Sequence, residues 1–214
     1  ELFTDEVDYR VVFLGDSYTE GVGAAYDSSM VRFFERRLNR ASPCKVAAYN
    51  AGVSGSDIVY SYRYLQRYAD TLQPDLVVAM VNTTDLQDLI FRGGFERFKD
   101  DGTVAFKAGP AWHLVYRFFH IFRLVVHQHW GYTPELLSHD RLNTEMLANV
   151  ATMATAADSI RAFCRAKQLD YLFLLQPLPE DIRLDMMGQQ YTRWSYYMAH
   201  LMDSLAELRI QYIN

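Results

Sequence analysis

Five short apolar runs, separated by longer segments of helical period, constrain this chain more tightly than any other feature. The runs are RVVFLG (10–15), KVAAYN (45–50), DLVVAMVN (75–82), DYLFLLQ (170–176) and IQYIN (210–214). Each is nearly continuous in apolar residues, as strands are when both faces of a sheet are covered, and the intervening lengths suit helical crossovers. Helical period marks 28–40, where Ser28 is placed to cap and Met30, Phe33, Phe34 and Leu38 fall on one side. It also marks 56–72, opened by Ser56, and two longer stretches at 140–168, opened by Asp140, and at 189–209. Both longer stretches lack internal Pro and Gly. The alternation predicts an α/β fold, a three-layer α/β/α sandwich around a five-stranded, mostly parallel sheet.

Residues 86–139 break this alternation. FERFKDDGTVAFK carries an Asp-Gly turn between two short alternating runs, a hairpin signal. AWHLVYRFFHIFRLVVHQHW (111–130) reads as one aromatic and aliphatic helix with His113, Arg117, His120 and His127 on one face. The block is read as an insertion after the third strand of a single domain spanning 1–214. Its aromatic stretch from Phe91 to Trp130 suits three roles: a lid shaping an acyl or glycan pocket, a basic amphipathic element resting on a membrane surface, or an ordinary core helix. Trp112, Tyr116, Trp130 and Tyr132 suit stacking on sugars, whereas Phe118, Phe119, Phe122, Leu124, Val125 and Val126 equally suit a fatty chain.

Composition narrows the partners. A chain of 214 residues, half of them hydrophobic, supports one packed core. A net charge of -5, with no stripe of Lys and Arg, argues against nucleic acid as a partner. No apolar run reaches the length of a bilayer span. Cys44 and Cys164 match no metal-ligand spacing and are read as two buried thiols. The histidines form no metal pair: His127-Gln128-His129 lacks helical spacing, His200 lies within a helix and His139 in a loop. No metal or other cofactor is expected. The start at Glu1, without an initiator Met, raises the expectation of a processed N-terminus and an extracytoplasmic location.

The reactive residue types gather at strand ends, where open parallel sheets bind their ligands. Ser17 stands two residues after the first strand, in a turn relaxed by Gly15, Gly21 and Gly23. After the second strand NAGVSGSD (50–57) leaves backbone N–H groups unobstructed, and after the third VNTTD (81–85) presents side-chain donors. A hydroxyl nucleophile facing hydrogen-bond donors is what acyl transfer requires.

GDSYTEGVG (15–23) followed by NAGVSG (50–55) resembles the first two blocks of the SGNH, or GDSL-type, serine hydrolases, which share a flavodoxin-like sandwich. The resemblance implies that Ser17 is the nucleophile and lends its own N–H to an oxyanion hole, with Gly55 as a second donor. Asp16 and Asp85 take supporting roles, Asp16 holding the nucleophile turn. The family's third block is Gly-x-Asn-Asp. Aligned on Asp85, this chain reads Asn82-Thr83-Thr84-Asp85, so Thr84 stands where the family has its oxyanion Asn, with Asn82 as the substitute donor given less weight. The family's Asp-x-x-His block does not occur near Asn214 and is expected beyond it. The implied activity is hydrolysis of a small-molecule or glycan ester through an acyl-enzyme on Ser17. Transfer of an acetyl group to a glycan and a non-catalytic binding domain stand as the alternatives.

Overall fold

The computed structural model describes residues 7–101, 103–105, 107, 109–176 and 193–214, the side chains of 193–195 excepted. Strands β1 (Tyr9–Gly15), β2 (Val46–Gly52), β3 (Leu76–Val81), β4 (Asp170–Leu175) and β5 (Tyr212–Ile213) form one sheet of order β2-β1-β3-β4-β5. Every pairing is parallel. β5 is shorter than the run at 210–214 suggests, because Arg209 takes a left-handed turn and Ile210 closes back onto Leu205.

Alternating side chains of β1 serve two cores, as the two-residue period of a strand requires. Val11 and Phe13 pack on one face with Val46, Ala48, Val78 and Met80 under helix α2 (Met30–Ala41). Val12 and Leu14 face α3 (Ile58–Leu72), α7 (His139–Lys167) and α8 (Arg193–Glu207) on the other. The start of the last helix read at 189 lies outside the described residues.

Helix starts differ from the sequence reading by one or two residues. The caps are Ser29, Asp57 and Ser138, each accepting a backbone N–H in the first turn, in place of Ser28, Ser56 and Asp140. The buried face of α2 is also turned from the one read off the sequence. Val31 is fully buried and Phe34 and Leu38 are half-buried, while Met30 and Phe33 are exposed. His139 is accordingly the first residue of α7 rather than part of a loop. Cys164 is buried in α7, and burial pushes its thiol up to about 12, whereas Cys44 is only half-buried and both thiols are free.

Between α4 (Thr84–Arg92) and α7 the chain is least regular. Among the described residues, the hairpin read at 95–107 is one antiparallel bridge, Phe98 to Val104, behind a 3-10 turn at Gly94–Arg97. The helix read at 111–130 is three pieces: α5 (His113–Phe118), α6 (His120–Leu124) and a π turn at Val125–His129. Phe119 breaks it, with extended φ and ψ of -115° and 112°. The guanidinium of Arg123 fixes the break by donating to the Tyr116 and Arg117 carbonyls at 2.9 and 2.6 Å. The core-helix reading therefore does not hold, and of residues 113–130 only Val126 is buried.

Candidate active site

The strand order reverses between β1 and β3, so the segments leaving these two strands flank the switch point where α/β sheets bind ligands. From β1 the chain passes through Gly15 and Asp16 into a four-residue helix, α1 (Ser17–Glu20). Asp16 caps it, accepting the Tyr18 N–H at Oδ1 over 2.9 Å. Ser17 is the first helical residue, half-exposed, and its N–H leads the helix, where no intrahelical acceptor exists. No described side chain hydrogen-bonds its hydroxyl, and none of the described histidines reaches it.

Asp16 is buried and joins the β1 and β3 ends. Its Oδ2 accepts from Asn82 Nδ2 at 3.0 Å and from Thr84 Oγ1 at 2.9 Å. Asn82 Oδ1 in turn accepts the Thr84 N–H at 2.8 Å and lies 2.5 Å from the Thr84 hydroxyl. The single hydroxyl proton of Thr84 is thus already contested by two acceptors. Asn82 differs, because a carboxamide has two N–H donors and Asp16 takes one.

Asp85 completes this corner, accepting the Asn82 N–H at 2.8 Å. Burial holds its carboxyl well above the ordinary carboxylate range, against the lowering effect of that bond and with the charges of Asp16, Asp57 and Asp88 adding to the rise. Asp88 is raised too, chiefly by burial, although Arg92 pairs with it at 3.2 Å and pulls the other way.

The β2 end is fastened to the same turn. Val53 N–H and Ser56 Oγ both donate to the Gly15 carbonyl, at 2.9 and 3.0 Å, and Glu20 accepts the Ser54 N–H at 2.7 Å. Asn50 donates to the carbonyls of Thr19 and Glu20. At Gly52 the approach is so close that a Cβ would lie 2.3 Å from the Glu20 nitrogen. Gly55 adopts a positive φ of 67°, which glycine tolerates without strain. A side chain there would also meet Arg92 Nη2 at 2.6 Å. At Gly55 lies a cavity of about 220 Å³, also lined by Tyr60, Arg92, Arg97, Phe98 and Val104. Arg97 is buried and forms a two-pronged ion pair with Asp57, the α3 cap.

The structure therefore brings Ser17, Asp16, Asn82, Thr84 and Asp85 into one cluster, with Gly55 on a loop tied to the same turn. The sequence reading puts Asp57 in the first turn of the helix at 56–72 and Arg97 in the hairpin at 95–107, and it misses their pairing. The one signal for Asp57 is a capping residue type beside Ser56 at the start of that helical period. Asn50 was missed as well, though Asn two residues before a glycine at a strand end is a turn signature. The histidines lie elsewhere: His127 bonds Tyr116 Oη at 2.7 Å and His200 packs edge-on against Tyr196.

A family model described as GDSL-like lipase/acylhydrolase matches residues 13–203. Among solved structures, the chain is similar to AlinE4, an SGNH-hydrolase family esterase, at TM-score 0.51 and 13% identity, covering 99% of this chain and 77% of that one. It is similar to TesA at TM-score 0.51 and 16% identity, over 95% and 76% of the two chains. The lipase/acylhydrolase from Enterococcus faecalis gives TM-score 0.51 and 14% identity over 96% and 75%. These structural likenesses bear on the fold, and no curated protein matches in sequence.

Proposed function

The chain belongs to the GDSL-like lipase/acylhydrolase family of ester-bond hydrolases, and on that premise we propose that it cleaves esters through an acyl-enzyme on Ser17. The observation that carries this reading is the buried Asp16 carboxylate. It caps the turn bearing Ser17 while gripping Asn82 and Thr84 from the neighbouring strand end. One side chain thereby sets the position of the nucleophile relative to its donors, and such preorganisation is what acyl transfer rewards.

In the proposed reaction the Ser17 oxygen bonds to the ester carbonyl carbon and gives up its proton to a base. The N–H groups of Ser17 and Gly55 and the second amide N–H of Asn82 hold the oxyanion. The alcohol then departs with a proton, and water releases the acid and restores the serine. Asn82 takes precedence over Thr84 as the side-chain donor, because the Thr84 proton is already engaged. Asp85 fixes the Asn82 backbone and takes no chemical step.

The cavity beside Gly55 is small against the roughly 300–1,000 Å³ of drug-sized sites. Gly55, a proposed oxyanion donor, lines it while Ser17 does not, and on that adjacency it is assigned a short acyl group. Turnover of p-nitrophenyl esters of rising chain length tests the reading. Acetate and butyrate are expected to exceed octanoate, and Ser17→Ala to lose all three. Hydrolysis that survives in Ser17→Ala contradicts it.

A further inference from the structure

We propose that the α5–α6 hairpin docks this protein onto the surface of an anionic lipid bilayer. Phe118, Phe119 and Ile121 are 74%, 61% and 77% exposed, and Leu114 beside them is 68% exposed. Four large apolar side chains this bare, within eight residues, are unusual on a surface that water alone covers. The hairpin is nonetheless a built element. Trp112 packs edge-on against Tyr116, Phe122, Trp130 and Tyr132 beneath it, and Arg123 clamps the break between the two helices. The outward face is therefore held in place rather than left over from an unfinished core.

Charge selects the occupant. From 102 to 134 the chain contains no Asp or Glu, and α5 and α6 carry Arg117 and Arg123, in a protein of net charge -5; Lys107, nearby in the chain, is paired with Glu145 at 3.2 Å and is not part of this face. Arg117 and His120 are exposed among the apolar residues and have no acidic partner among the described residues. A second copy meeting this face about a two-fold axis would oppose cation to cation. An anionic bilayer supplies the opposite charge and a place for the aromatic and aliphatic tips, the pattern of interfacial elements. The acidic remainder of the molecule is repelled by the same bilayer, which orients the contact on the hairpin. Among the described residues no helix is long and apolar enough to cross a membrane, so the contact is with the surface.

The test is co-sedimentation of the full-length protein with vesicles of phosphatidylcholine alone or mixed with phosphatidylglycerol. Wild type is expected to partition about tenfold more strongly onto the mixed vesicles, and less as salt rises. The double variant Phe118→Ser, Ile121→Ser is expected to lose binding about tenfold or more, and Arg117→Gln about fivefold. Both variants are to keep the wild-type circular dichroism. Equal partitioning of the double variant and wild type overturns the proposal, as does failure of wild type to bind either vesicle. A wild-type dimer in light scattering that the double variant dissolves, with no vesicle binding, assigns the face to self-association and overturns it as well.

Discussion

Around Asp16 a buried carboxylate is bonded to the side chains of Asn82 and Thr84, whereas across the α5–α6 hairpin the apolar groups are outside and bare. The first arrangement follows from the sheet. Parallel strands deliver three chain segments to one edge, and buried polar groups survive there only by bonding one another. The second is local, held by one arginine on two carbonyls and by a ring cluster of its own. The contrast teaches that rigidity in this molecule has two sources: long-range fastening where chemistry is to happen, and short-range fastening where a surface is to be presented.

Perturbations of the two regions should therefore differ in kind. After loss of Ser17 itself, the largest effect is expected from Asn82→Ala, which removes a proposed oxyanion donor and should lower turnover about 100-fold to 1000-fold. Thr84→Val, two residues away, should lower it less than about tenfold. Steady-state kinetics on a short-chain ester reads both, and equal losses would return Thr84 to the place the family alignment gives it. Asp16→Ala should cost stability as well as rate. It removes a helix cap, about 1 kcal/mol, and strands one amide N–H of Asn82, about 1–3 kcal/mol, while the Thr84 hydroxyl keeps Asn82 Oδ1 as an acceptor. Urea denaturation measures the sum.

A smaller effect is expected at Asp85. Its carboxyl is raised in the folded protein by burial, so between the ordinary carboxylate pKa and the raised one the folded state holds more protons than the unfolded. Stability then falls as pH rises through that window. Asp85→Asn keeps an oxygen to accept the Asn82 N–H and should flatten the decline, leaving the part due to Asp88. Denaturation midpoints across acid to neutral pH check this, and an unchanged slope would refute it. The smallest effect is expected on the hairpin. Phe118→Ser with Ile121→Ser should change stability by no more than about 0.5 kcal/mol, since both side chains are in water already. A larger loss would mean that the face is packed.

The same division explains what was legible in the amino acids. Strands β1 to β4 stand within two residues of their apolar runs, because strands buried on both faces leave little room for polar residues. The gathering of Asp16, Ser17, Asn82 and Thr84 at their ends was legible as well, since glycines and small polar residues cluster where a sheet meets its loops. Three things were not. The face of α2 centres on Val31, a smaller side chain than the Met30 and Phe33 that the sequence offers beside it. The break at Phe119 leaves the helical spacing on either side intact, so periodicity runs through it, and its cause is an arginine side chain reaching back to backbone carbonyls. The state of Thr84 depends on Asp16, 68 residues earlier in the chain and a neighbour only once β1 lies beside β3.

The central claim is that Ser17 is an activated nucleophile, and covalent labelling tests it most directly. The full-length protein and its Ser17→Ala variant are to be treated with a fluorophosphonate and weighed intact. The account predicts one adduct on wild type and none on the variant. An unlabelled wild type, or equal labelling of both, would contradict it.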